Sequence, residues 1–195
     1  ANLKRVANLE SARKKYGADR VNRFVEGFLQ TDSLADLAVA DMAVTRGGWK
    51  IFDRLLEGES VEAPSSFHAL LKEASQQPHW LDWGQIERGA IAYWRPGPLV
   101  ALVLGFGGIG PGYVNYGFSK PFAATGRIVD KAERRVKETT SWILAATTQG
   151  GMYHDQPGFK QTVRTRLIHA AVRRALLNNG HWRTEEWGLP INVSD

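Results

Sequence analysis

Residues 159–177 have the sequence FKQTVRTRLIHAAVRRALL, and the spacing of their apolar side chains predicts a long helix. At about 100° per residue, one apolar face of that helix contains Val163, Leu167, Ala170 and Leu177. His169 lies on another side, flanked by Val172 and Leu176. Because the helix is apolar around most of its circumference, we expect it to be buried.

A second long helix is predicted over residues 129–148, joined to the first by a glycine-containing loop. Helical periodicity also dominates the rest of the chain, and we find no convincing strand pair or internal repeat. The sequence therefore predicts an all-α protein. A single domain is expected over residues 1–195, with residues 1–27 as an N-terminal helical extension.

Start and stop signals divide the first half of the chain into shorter helices. Asp32 or Ser33 is suited to cap a helix, and the glycines at 47–48 predict a break after it. Further on, Pro78 is expected to end one helix and Asp82 to cap the next.

Residues 99–104 are apolar on every side, which is typical of a buried helix. Residues 105–117 are rich in glycine, and we expect a loop there that lets the backbone approach a ligand closely. The absence of a Gly-Lys-Ser/Thr sequence excludes a phosphate-binding loop of the nucleotide-hydrolase type.

The composition limits the classes of function. The net charge is +5, but Lys and Arg alternate with Asp and Glu along the chain, which does not favour nucleic-acid binding. The chain has no cysteine, which excludes disulfides and thiolate ligation of a metal. The longest apolar run, residues 98–109, is interrupted by glycine and too short for an ordinary transmembrane helix. We therefore expect a soluble protein, secreted or cytoplasmic.

Two polar residues fall on the apolar side of the helix predicted at 129–148. Its apolar stripe contains Ala132, Val136, Ile143 and Ala146. Arg135 and Thr139 lie inside that stripe, one turn apart. A buried arginine needs a charged partner, so a structural salt bridge is one interpretation. The other is that Arg135 and Thr139 face a polar or anionic ligand.

The chain has five histidines, of which His169 is the most informative. From its spacing alone, a histidine in an apolar helix is more often a hydrogen-bonded core residue than a metal ligand. His79 and His181 each have an acidic neighbour, but neither belongs to a His-Glu-x-x-His motif. No Gly-x-Ser-x-Gly motif of a serine hydrolase is present.

Five segments in order resemble the rubber-oxygenase family, which includes the latex-clearing proteins and fungal oxygenases bound to the endoplasmic reticulum. The resemblance extends over most of the chain from about residue 28. Its segments are Pro78-His79-Trp80-Leu81-Asp82-Trp83 with Arg88-Gly89, Lys120-Pro121-Phe122 with Thr125-Gly126-Arg127, Arg134-Arg135 to Thr139, Arg166-Leu167-Ile168-His169-Ala170, and Gly188-Leu189-Pro190-Ile191-Asn192.

The resemblance implies a helical fold around one b-type haem, with His169 as the ligand of the iron. Arg166 and Arg173 share the side of the helix on which His169 lies, and we expect them to pair with the two haem carboxylates. The family's domain continues with further helices beyond the position of Asn192. We therefore expect that part of its fold lies outside this chain.

The same resemblance implies an oxygenase that cleaves carbon–carbon double bonds of an apolar, polyisoprenoid-like substrate with dioxygen. Arg135 and Thr139 match the family's polar pair, and Glu138 stands where latex-clearing proteins have a lysine that binds the iron. This departure puts a lysine ligand in doubt here. We expect Arg135, Glu138 and Thr139 to be the catalytic residues, with Glu138 as a base or a polar pocket residue.

Aromatic and glycine-rich segments are candidates for an apolar substrate channel, and ordinary core packing is the alternative. They comprise Trp80, Trp83, Trp94 and residues 105–116. Two other functions remain open from the sequence. One is a metal-free helical protein that binds a lipid or prenyl chain, and the other is a basic scaffold that associates with nucleic acid.

Overall fold

The computed structural model describes residues 8–114, 116–124 and 132–193. Within those ranges the regular elements are all helices, which confirms the predicted all-α class and single domain. They are α1 Leu9–Tyr16, α2 Ala18–Gly27, α3 Ser33–Val44, α4 Gly48–Leu56, α5 Ser65–Ala74, α6 Trp83–Trp94, α7 Leu99–Leu102, a π-helix Val103–Ile109, α8 Gly110–Val114, α9 Tyr116–Ala124, α10 Ala132–Thr147, α11 Pro157–Asn178 and α12 Thr184–Trp187. Residues 1–7 of the predicted N-terminal extension and residues 129–131 of the helix predicted at 129–148 lie outside the described residues.

The predicted caps and breaks are present. The Asp32 carboxylate accepts a hydrogen bond of 3.1 Å from the Ala35 amide at the start of α3. Asp82 accepts one of the same length from the Gln85 amide at the start of α6. Gly47, with a positive φ of 74°, separates α3 from α4. Such short-range signals act within one helical turn, so the sequence alone is sufficient to locate them.

The core lies between α3, α4, α5 and α11. One face of α11 contributes Val163, Leu167 and Ala170, which are almost completely buried, as the helical spacing predicted. They pack with Ala35, Ala38, Val39, Met42, Phe52, Leu56, Phe67 and Leu70. Leu177, assigned to the same face, is partly exposed near the end of α11.

The predictions for residues 99–117 were wrong in two respects. The glycine-rich stretch is helical, with a π-helix followed by α8, where a loop was expected. In residues 99–104, where burial was expected, apolar side chains are also exposed, by 60% at Leu99, 55% at Leu102 and 67% at Val103. A helix that is apolar all round is buried only when another element covers it. Of the side chains in α7, only that of Val100 is buried.

α10 and α11 are antiparallel and approach each other most closely where the loop joins them. A Cβ atom at Gly158 would lie 2.5 Å from the carbonyl oxygen of Gly151 and 2.6 Å from that of Ala145. At such distances only glycine fits. This contact fixes one end of the helix pair that carries the candidate site.

Among the helices of the described ranges, none combines the length and the apolarity needed to cross a bilayer.

Candidate functional site

The expected catalytic residues lie in the first half of α10. Glu138 and Thr139 are exposed, and Glu138 accepts a hydrogen bond of 2.7 Å from Arg134 Nε, one turn earlier. Arg135 is part of α10, but its side chain lies outside the described residues. The exposure continues from Val136 to Ser141, so this half of α10 is open to solvent.

His169 is exposed, so the expectation that its imidazole is buried was wrong. The core face of α11 is on another side of the helix, centred on Val163, Leu167 and Ala170. The apolar neighbours of His169 in the sequence do not all face the core, because Ile168 is also about half exposed. Helical spacing located the core face correctly but overestimated its width.

Helical geometry places His169 on the side of α11 that faces α10. The indole nitrogen of Trp142 in α10 donates a hydrogen bond of 3.0 Å to Thr162 Oγ1 in α11. Arg135 precedes Trp142 by seven residues, and His169 follows Thr162 by seven, which is about two turns in each helix. Because the helices are antiparallel, two turns back along α10 from Trp142 and two turns forward along α11 from Thr162 lead towards the same end of the helix pair. Arg135 and His169 therefore occupy corresponding positions on the two helices.

Arg166 does not present a free charge to a cofactor, contrary to the expectation that it pairs with a haem carboxylate. Its guanidinium makes hydrogen bonds of 2.6 and 3.2 Å to the Asp32 carboxylate and one of 2.8 Å to Glu73. Partial burial alone would raise the pKa of Asp32, but the hydrogen bonds from Arg166 and the Ala35 amide outweigh it, so the pKa is lowered. Arg166 therefore holds α11 against α3 and α5.

Arg173 is likewise committed to the fold, although it was expected to bind the cofactor. Its side chain is almost fully buried and makes hydrogen bonds of 2.7 and 2.8 Å to Asp36, together with one of 2.6 Å to the Ile191 carbonyl. Burial of this charge is tolerated because a carboxylate and a carbonyl satisfy it. Arg173 thus joins α11 to α3 and to the segment after α12.

Two cavities lie beside α10, and His169 lines neither of them. One, of about 280 Å³, is bounded by α6 and the loop after α10. The other, of about 470 Å³, runs along α10 and is lined by Val136, Thr140, Leu144 and Gln161 among others. The larger cavity borders α11 at Gln161, about two turns from His169.

The tryptophans expected to line a channel have different environments. Trp80 is 72% exposed, whereas Trp94 donates a hydrogen bond of 3.0 Å to the Thr147 carbonyl and so fastens the end of α6 to α10. Trp83 lines the smaller cavity and packs edge to face on Tyr153, at 4.6 Å between ring centres. The pKa of Tyr153 is raised, mainly because its ring is partly buried and also because the Glu87 carboxylate is nearby. Trp83 and Trp94 are therefore half-buried and lie outside the main core, and of the two only Trp83 borders a cavity.

A cluster of Ser75, His154 and Asp155 was missed by the sequence analysis. Ser75 Oγ lies 2.8 Å from His154 Nε2, and His154 Nδ1 lies 2.7 Å from Asp155 Oδ2. The order matches a hydrolytic triad, which also needs backbone amides to stabilise an oxyanion. The amide of Ser75 donates to the Leu71 carbonyl, as its hydroxyl also does. We therefore assign the cluster to tethering α5 to the loop before α11.

The residues of the helix pair fit some requirements of a haem site. In the described part of the chain, no three His, Asp or Glu side chains are arranged to hold a metal ion. A haem iron needs only one protein ligand, which a single histidine can provide. His169 is accessible on the side of α11 towards α10, and the exposed apolar side chain of Val136 lies on α10. An exposed histidine is therefore present, but the arginines expected to pair with the haem carboxylates are engaged with Asp32, Glu73 and Asp36.

No protein-family model, curated protein or solved structure matches this chain.

Proposed function

We propose that this protein is a haem b-dependent oxygenase in which His169 binds the iron. The observation that carries the proposal is the arrangement of α10 and α11. Arg135 and His169 occupy corresponding positions two turns from the Trp142–Thr162 hydrogen bond, along a half of α10 that is exposed to solvent. Such an open, partly apolar helix pair with one accessible imidazole is a suitable site for a flat cofactor with one protein ligand.

The residues of α10 have polar roles in this proposal. Arg135 and Thr139 donate hydrogen bonds to a polar group in the cleft opposite His169, since both residue types carry suitable donors. Glu138 holds or accepts a proton there, after release from its surface pair with Arg134. A surface pair of this kind stabilises a helix by less than about 1 kcal/mol, so its loss is a small obstacle.

Haem, when bound, supplies the redox chemistry that activates dioxygen. The chain contributes the imidazole ligand, the polar groups of α10 and an apolar surface for the substrate. The exposed side chains of Leu99, Leu102 and Phe106 favour an apolar substrate, and the resemblance to rubber oxygenases suggests one with carbon–carbon double bonds, such as a polyisoprenoid. The proposed reaction is oxidative cleavage of one of those bonds.

The first test is the visible spectrum of protein purified from cells supplied with haem precursor. We expect an intense Soret band from the wild type and its loss in His169→Ala. His68→Ala is the matched control, because His68 is also an exposed histidine within a helix. The ligand assignment is wrong if His169→Ala retains haem, and the function is wrong if the wild type binds none.

A second test concerns Glu138. If Glu138 handles a proton in the cleft, Glu138→Gln should lower turnover at least tenfold, because general acid–base catalysis contributes about 10²–10⁴-fold. The haem content should remain that of the wild type, since the amide has the same shape. Arg134→Gln, which removes the surface partner of Glu138, is the control and should retain most of the turnover. Unchanged turnover in Glu138→Gln would remove this role.

A metal-free protein that binds a lipid or prenyl chain is the second candidate. The exposed apolar side chains between Leu99 and Val114 favour it, because large apolar patches mark sites for apolar ligands or partners. Binding of a fluorescent prenyl analogue by protein without a Soret band would support this alternative.

A further inference from the structure

The smaller of the two cavities lies between α6 and the loop after α10. Trp83, Glu87 and Ala90 line it from α6, and their spacing of three to four residues places them on one side of that helix. Residues 146–152 contribute the opposite wall. The cavity volume of about 280 Å³ is close to the lower limit of small-molecule sites, which hold about 300–1,000 Å³. The cavity therefore suits a small ligand.

Glu87 is the only charged residue among those that line this cavity in the described part of the chain. Its Oε1 accepts a hydrogen bond of 2.8 Å from the Gly150 amide on the opposite wall. Within the described ranges, no Lys, Arg or His forms a salt bridge with Glu87. A half-buried carboxylate without a cationic partner is costly, because it loses part of its hydration without gaining a counter-charge. The cavity therefore favours a cation.

The other polar groups of the lining are largely engaged within the protein. The hydroxyls of Thr147 and Thr148 donate hydrogen bonds of 2.6 Å to the carbonyls of Ile143 and Leu144. The Thr147 carbonyl accepts the indole N–H of Trp94 at 3.0 Å. A primary ammonium has three N–H donors that need acceptors, whereas a fully methylated ammonium has none. The lining therefore favours a cation with methyl groups at its surface.

Aromatic residues provide the second feature of a site for such a cation. Trp83 and Tyr93 line the cavity, together with the apolar side chains of Ile86 and Met152. The Tyr153 ring packs edge to face on Trp83, at 4.6 Å between ring centres, which restricts movement of the indole. The electron-rich faces of aromatic rings attract cations, and quaternary ammonium groups are commonly bound among such rings.

We propose that the cavity between α6 and the loop after α10 binds a methylated ammonium group, as in choline or a phosphatidylcholine headgroup. Glu87 neutralises the positive charge, and the rings of Trp83 and Tyr93 contact the methyl groups. The site is separate from the proposed haem site, because His169 does not line this cavity. Its test needs no haem, so its failure would not affect the proposed function.

The charge requirement is tested with choline and its neutral analogue 3,3-dimethylbutan-1-ol, in which carbon replaces the nitrogen. The two compounds have nearly the same shape, so isothermal titration calorimetry at low ionic strength measures the contribution of the charge. We expect choline to bind at least about tenfold more tightly, because an opposite charge lies in the cavity. Equal affinities for the two compounds would overturn the proposal.

Substitutions locate the binding site. Glu87→Gln keeps an oxygen that can accept from the Gly150 amide but loses the charge, so it should weaken choline binding about tenfold and leave the thermal unfolding temperature nearly unchanged. Trp83→Leu should weaken binding about fivefold through loss of the ring. Glu62→Gln, at an exposed position outside the cavity, is the matched control and should bind as the wild type does. Wild-type affinity in Glu87→Gln overturns the assignment.

Cosedimentation with phosphatidylcholine vesicles distinguishes the two sources of the group. Vesicle binding that choline displaces and that Glu87→Gln lacks would assign the site to a lipid headgroup. Choline binding without cosedimentation would assign it to a free cation. If the wild type binds neither choline nor the vesicles, the proposal is overturned.

Discussion

Arg166 and Arg173 show how single side chains on α11 depend on partners far away in the sequence. Asp32 and Asp36, which pair with them, are 134 and 137 positions away along the chain. From the sequence one can predict that a buried arginine has a carboxylate partner, because an unpaired charge costs several kcal/mol. Which carboxylate it is depends on how α3 packs on α11, and helical periodicity carries no information on that.

Asp32 has two roles that substitutions can separate. Asn keeps the helix cap but loses the charge that faces Arg166, whereas Ala loses both. At pH 7 we expect Asp32→Asn to lower the free energy of unfolding by about 1.5–3 kcal/mol, as is typical for a hydrogen bond to a charged group. Asp32→Ala should cost about 1 kcal/mol more. Urea denaturation followed by circular dichroism measures both values.

The pH dependence gives the sign of the charge effect. The pKa of Asp32 is lowered in the folded protein from its ordinary value of 3.8, so its charge stabilises the fold above that pH. The stabilisation is lost as the pH falls through the lower, folded pKa. The difference between wild type and Asp32→Asn should therefore shrink under acidic conditions. Asp19→Asn, at an exposed position in α2, is the control and should have little effect at any pH. A difference that is constant with pH would contradict the ion pair.

At the end next to the loop, the contact between α10 and α11 requires glycine at two positions. Gly151 and Gly158 lie where the loop returns the chain, and each would bring a Cβ atom too close to a backbone carbonyl oxygen of Ala145. The sequence analysis identified the loop and both helices, but not this close approach. Many glycines occur in loops, and nothing in the sequence distinguishes a glycine that is required for space from one that is only tolerated.

Gly158→Ala should force α10 and α11 apart at their narrow end. The added methyl group would meet backbone atoms, which cannot move aside as a flexible side chain can, so we expect a loss of about 1–3 kcal/mol in the free energy of unfolding. Gly89→Ala in α6 is the matched control, because a Cβ atom there has no neighbour within 4 Å. It should stabilise the protein by up to about 1 kcal/mol, since alanine favours a helix over glycine. Equal effects of the two substitutions would show that the close approach is not needed.

Helix capping and apolar periodicity were sufficient to predict most of the helices but not the environment of each. The starts of α3 and α6 and the break at Gly47 follow from interactions within one turn. The stretch from Leu99 to Val114 was predicted incorrectly, because its burial depends on what covers it. Glycine lowers helix stability by only about 1 kcal/mol per residue, so Gly105 and its neighbours did not prevent a helix there.

The molecule as a whole combines a closed half and an open half. α3, α4, α5 and the core face of α11 enclose the apolar core, whereas Val136 to Ser141 of α10 and most of the described side chains from Leu99 to Val114, Val100 excepted, are exposed. α10 and α11 pack against each other, as expected of two long helices joined by a loop. The sequence did not indicate that Val136 to Ser141 and His169 are exposed to solvent, since periodicity describes one helix at a time.

Two residues of α7 that differ in exposure should respond differently to substitution, and we expect a loss of stability at Val100 but not at Leu102. Leu102 is 55% exposed and Val100 is 9% exposed. Leu102→Ser should change the free energy of unfolding by no more than about 0.5 kcal/mol, as surface substitutions usually do, and should reduce binding of the apolar dye ANS. Val100→Ser removes buried methyl groups and introduces a hydroxyl, and should cost about 1–3 kcal/mol. Denaturation curves and ANS titrations of both variants test this difference. If Leu102→Ser were as destabilising as Val100→Ser, Leu102 would have to be buried, and the apolar surface offered here for a substrate would not exist.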